Sequence, residues 1–75
     1  MAQTFGRITI DNGIVTVGGK QVGTVMQDLK FGYHPCVAIR TEGSDKVDWL
    51  ELDERDLIGK VWVIVRERLE AEKII

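Results

Sequence analysis

The chain of 75 residues has a single cysteine, a single proline, a single histidine and five aromatic residues. One cysteine, Cys36, excludes an internal disulfide. Small secreted domains usually rely on two to four of them, so the chain is expected in a reducing cytoplasm. The longest uninterrupted apolar run, Val61 to Val65, is far short of the ~20 residues a membrane span needs, and Met1–Arg7 lacks the apolar stretch of a secretory signal. One histidine and one cysteine leave a zinc site short of its usual four ligands unless chains share it. With so few ligand types, no catalytic, cofactor or metal site is expected.

What is present is ordinary globular material. Hydrophobic residues make up 44% of the chain and charged residues 29%, with a formal net charge of -2. That is too apolar for a disordered segment and enough for one thin core in a single domain, residues 1–75. A deep, enclosed active site is hard to build at this size, so a non-enzymatic binding module is favoured over an enzyme.

The first third is patterned as hairpins. Ile8–Ile10 alternates apolar and polar, Asn12-Gly13 accepts the positive φ of a type I′ turn, and Ile14–Val17 is β-branched throughout. Gly18-Gly19 is a second tight-turn signal before a third strand, Gln21–Met26, where Gly23 marks a bulge or a close packing contact. Asp28–Gly32 reads as a loop. Pro35 lacks an amide donor, so the next strand, Cys36–Thr41, begins after it or lies at an edge there. A polar turn, Glu42–Lys46, leads to a fifth strand, Val47–Leu52, with Val47 and Trp49 on one side and Leu50 and Leu52 on the other.

Asp53 then stands where a helix N-cap belongs, and Asp56 at a capping-box position. Leu57, Ile58, Val61, Trp62, Val65 and Leu69 recur at spacings of three and four, which predicts a helix from Glu54 to about Lys73. Val61–Val65 carries the opposite, strand-forming propensity and Gly59 weakens a helix by ~1 kcal/mol. If strand propensity prevails, only the end from Glu67 is helical. The expected fold is α+β: an antiparallel sheet of four to five strands, starting as a meander, with one C-terminal helix on one face.

Motifs that suggest chemistry fail on spacing. Gly18-Gly19-Lys20 is followed by Gln21 and a strand, not by the Ser or Thr and helix of a phosphate loop. His34 and Cys36 would share a face within a strand, as a nucleophilic pair must, but no orienting group is assignable and Pro35 interrupts them. Counted from Asp45, the sixth and twelfth residues are Leu50 and Asp56, which breaks the calcium-loop pattern. Glu51 and Asp53 resemble a glycosidase pair without a cleft to hold a sugar.

The charge is unevenly spread. Glu42, Asp45, Asp48, Glu51, Asp53, Glu54 and Asp56 face only Lys46 and Arg55 within fifteen residues, a local net charge of -5 in a chain whose remainder is net positive. Seven carboxylates beside Trp49 combine charge with an aromatic anchor, the composition of a protein interface. The expected partner is a protein with a basic, nucleic-acid-binding surface. Direct nucleic-acid binding is disfavoured by the negative charge, although Lys60, Arg66 and Lys73 form a candidate basic stripe. In size and composition the chain resembles small proteins of phages and mobile elements. Many of these act by stoichiometric binding, inhibitors of host defence nucleases such as anti-CRISPR proteins among them. That resemblance rests on no motif. The alternatives are a structural protein that assembles by strand-edge pairing, as a homodimer or larger oligomer, or a small nucleic-acid-binding regulator.

Overall fold

A computed structural model describes residues 3–75. Six strands form one antiparallel sheet in strictly sequential order: β1 (Gln3–Phe5), β2 (Ile8–Asp11), β3 (Ile14–Val17), β4 (Lys20–Lys30), β5 (His34–Thr41) and β6 (Val47–Glu51). The helix α1 (Leu57–Ala71) packs across one face. The α+β class and the meander start are as expected, but the sheet has six strands rather than four to five. The added strand is β1. It is short and exposed, and is held by pairing Gln3–Phe5 with Ile8–Ile10 rather than by apolar alternation.

The hairpin signals act as read. Asn12 and Gly13 take φ 52 and 80, and Gly18 and Gly19 take φ 59 and 85, the doubly positive geometry of type I′ turns. Gly23 serves both roles suggested for it. The β3–β4 register shifts between Val15 and Thr16, and an added Cβ at Gly23 would fall inside contact distance of the Arg40 carbonyl oxygen. The expected loop at Asp28–Gly32 is corrected: β4 continues to Lys30, and Asp28, Leu29 and Lys30 pair with Cys36, Pro35 and His34. Pro35 is accommodated because β6 reaches only as far as Cys36, leaving one side of β5 a local edge beyond it.

The core is the face under the helix. Ile8, Val15, Val17, Val22, Val37 and Ile39 from the sheet meet Val65 and Leu69 from α1, with Leu50, Leu57, Val61, Trp62 and Ile64 partly buried around them. The 3.6-residue period therefore prevails over the strand propensity of Val61–Val65, because only a helix turns Val61, Val65 and Leu69 together onto the sheet. Ile58, counted in the apolar stripe, falls outside it and is 62% exposed. The N-cap is Asp56, not Asp53. Asp56 sits at φ 53 and its carboxylate accepts from the Gly59 amide. Both residues have capping chemistry, and the three-residue distance to the amide of a side-chain-free Gly59 selects Asp56.

Polar groups tie the helix to the sheet at the other end. Arg68 donates through Nε (3.0 Å) and Nη2 (3.3 Å) to both carboxylate oxygens of Asp48, and the Thr41 hydroxyl donates to Glu72. This charge-assisted pair raises the pKa of the Arg68 guanidinium, against the effect of its burial. Among the described residues no helix is long and apolar enough to cross a membrane.

Candidate functional site

Because α1 covers one face of the sheet, β4, β5 and β6 present their other face without a helix over it. Alternation along β5 sends Val37 and Ile39 to the core, so His34, Cys36, Ala38 and Arg40 line the opposite face. Register sets their neighbours. Ala38 lies between Met26 and Trp49, Cys36 between Asp28 and Glu51, and Lys30 is opposite His34. Small Cys36 and Ala38 are buried at 1% and 0% exposure although no helix lies above them, because larger side chains on both flanking strands close over them.

This face is polar and paired. His34 Nε2 lies 2.7 Å from a Glu51 carboxylate oxygen, and the Cys36 Sγ is 3.9 Å from the same oxygen. Arg40 Nη2 donates to Asp28 at 2.8 Å, and its guanidinium lies over the Trp49 ring, 5.9 Å from the centroid. The Asp28 carboxylate also accepts from the Leu29 amide. That bond, followed by the Arg40 bond, holds its pKa below the ordinary carboxylate value. Burial pushes the Cys36 thiol up, and the Glu51 charge adds to the effect.

The β4–β5 hairpin ends in a second feature. The Phe31–Tyr33 turn is closed by the Tyr33 amide donating to the Lys30 carbonyl. Phe31 adopts φ 59 and Gly32 φ 82. Phe31 and Tyr33 are 78% and 75% exposed and Leu29 is 51% exposed. The two rings lie 6.5 Å apart, with Lys30 over the Phe31 face. A bulky aromatic residue in the left-handed region is a conformational outlier.

The acidic residues read from the sequence do not form one surface. Glu42 and Asp45 lie in the β5–β6 connection, where Glu42 accepts from Gln21. Asp48 faces the helix and is engaged with Arg68, whereas Trp49, the next residue, faces away from it. Glu51 is on the uncovered face. Asp53, Glu54 and Asp56 lie in the β6–α1 connection, where Glu54 pairs with Lys60 and Asp56 caps the helix. Of the basic stripe, Lys60 is partnered by Glu54 and Arg66 by Glu70, while Lys73 lies beyond the end of the helix. Antiparallel register places Glu51 level with Cys36, which brings Leu52 and Asp53 to the same end of the sheet as the Phe31–Tyr33 turn. The exposed aromatic pair was not singled out by sequence reasoning. Its signal was Phe31-Gly32-Tyr33 between two strands, aromatic residues where a turn usually carries Asn, Asp or Gly.

Neither family models, curated proteins nor solved structures offer a match to this chain.

Proposed function

We propose that the chain is a non-enzymatic protein-binding module that docks through the Phe31–Tyr33 turn and the Asp53 carboxylate at the same end of the sheet. The observation that carries this reading is Phe31. It holds a left-handed backbone conformation that costs roughly 1–2 kcal/mol in a non-glycine residue, and its ring gains almost no burial in return. Strain kept without a folding benefit is characteristic of functional positions. Phe31 and Tyr33, with rings 6.5 Å apart, give an exposed aromatic centre of the kind that anchors interfaces, and Asp53 at the same end of the sheet gives it a preference for basic partners.

The partner is a protein with a basic, nucleic-acid-binding surface. In its sharpest form the module is a stoichiometric inhibitor of the phage and mobile-element type, anti-CRISPR-like, whose Asp53 carboxylate takes the place of a phosphate while the aromatic turn supplies affinity. The test is affinity capture from nuclease-treated cell lysate with three baits: wild type, Phe31→Asn and Asp53→Lys. Recovery of a nucleic-acid-binding protein by wild type, with loss on Phe31→Asn and salt-sensitive weakening on Asp53→Lys, is the expected result. Equal recovery by all three baits sinks the proposal.

The open edge of β6 favours one alternative, self-association by edge pairing. Sedimentation at micromolar concentration separates the two, since a strict monomer removes this alternative.

A further inference from the structure

We propose that His34, Cys36 and Glu51 bind a single zinc ion on the uncovered face of the sheet, with a water molecule as the fourth ligand. Sequence supplies only two neighbouring ligands, and register supplies the third. His34 and Cys36 are two apart on β5 and project from the same face, and Glu51 is the cross-strand partner of Cys36 on β6. The imidazole nitrogen, the sulfur and a carboxylate oxygen all lie within 4.8 Å of one another, and this is the sole such grouping of three among the described residues.

The triangle is close to what a metal requires. Zinc bonds of about 2.0–2.3 Å at tetrahedral angles place neighbouring ligand atoms about 3.3–3.8 Å apart. The Sγ–Glu51 separation of 3.9 Å is already near that span, while the His34–Glu51 contact of 2.7 Å must open. Both of those side chains are about half exposed, 47% and 51%, and are free to swing. The strands that carry them are fixed by the ladder beneath. Cys36 forms the floor, and the open side lies toward solvent, which provides both the entry path and the fourth position.

The donor set selects the ion. Thiolate and imidazole suit zinc or cobalt, whereas magnesium and calcium take oxygen ligands. On binding, the Cys36 S–H bond is replaced by S–Zn and the proton leaves to solvent. Asp28 and Lys30 flank the triangle from β4. Asp28 is held by Arg40 and the Leu29 amide and is not a ligand.

The test titrates metal-stripped protein with Co²⁺ and then displaces it with Zn²⁺. A thiolate-to-cobalt charge-transfer band saturating at one ion per chain, and bleached by zinc, is expected. Cys36→Ser removes the band. His34→Ala weakens cobalt binding by roughly tenfold or more, since even residues behind metal ligands are worth that much. Cys36 is buried, so His34→Ala, at an exposed position, keeps the test decisive if the serine variant does not fold. Absence of the band, unchanged affinity in His34→Ala, or one ion per two chains overturns the proposal.

Discussion

Replacing Phe31 by asparagine separates what the hairpin needs from what the surface needs. The substitution writes Asn-Gly into a turn whose two central residues have φ 59 and 82, the geometry that dipeptide favours. Relief of the left-handed strain on a bulky residue is worth about 1 kcal/mol, since asparagine still carries part of the 1–2 kcal/mol cost. Against this stand the contacts the ring makes. The Lys30 ammonium is 5.4 Å from its centroid and the Tyr33 ring 6.5 Å. In so exposed a setting the two together are worth roughly 0.5–1 kcal/mol. The balance is therefore about zero to slightly stabilising. Since 1 kcal/mol moves the midpoint of a domain this size by about 4–8 °C, Tm should be unchanged or rise by a few degrees. Circular dichroism melts and urea titrations of wild type and variant measure it. A fall of Tm beyond about 4 °C would mean that the ring is a structural contributor. Phe31 would then be a folding residue and not a docking one, whatever happened to binding.

Three further outcomes follow from the packing. Gly23→Ala sets a methyl group against the Arg40 carbonyl oxygen in the centre of the sheet. Overpacking costs about 1–3 kcal/mol, less the 0.5–1 kcal/mol that alanine regains over glycine in a strand. A lowered urea midpoint at unchanged m-value is expected, and wild-type stability would refute the close approach. The Cys36 thiol is buried and its pKa raised, so alkylation of the native protein at pH 8 should be at least roughly tenfold slower than in urea. Equal rates by mass spectrometry would contradict this. Because the folded Asp28 carboxylate titrates below its ordinary value, its stabilising contribution is complete above that value, near pH ~4, and is lost as pH falls through the lower folded value. Asp28→Asn should therefore destabilise the protein at neutral pH and flatten its acid-unfolding curve, and an unchanged curve would count against the Arg40 and Leu29 contacts.

Much of the architecture was legible because its determinants are local. Asn12-Gly13 and Gly18-Gly19 each specify a turn on their own, and the spacing of Val61, Val65 and Leu69 specifies a helix whatever the propensity of the residues between. What escaped depends on pairing. β1 has no apolar alternation and exists because β2 offers it an edge. Asp28–Lys30 looks like a loop until paired with His34–Cys36. The Phe31 turn was hidden because its residue type contradicts its conformation. The site was less legible than the fold for the same reason. The spacing of His34 and Cys36 is visible in sequence, but Glu51 joins them only through the β5–β6 register. The acidic run looks continuous in sequence, yet strand alternation and the turn after Glu51 divide it between two faces and both ends of the sheet.

The strictly sequential order of the strands also bears on how the chain acquires its structure. Every strand pairs with its immediate predecessor, so each pairing closes only a short loop and can form hairpin by hairpin. Such low contact order favours rapid collapse for a sheet protein. The helix is the exception. It follows all six strands, and until it docks, Val15, Val37 and Ile39 lack the side chains that cover them. Any stage at which the sheet is formed and the helix undocked leaves that sheet bare on both sides. Short β1, the charged residues along β6 and speed of helix closure are what stand between that stage and aggregation.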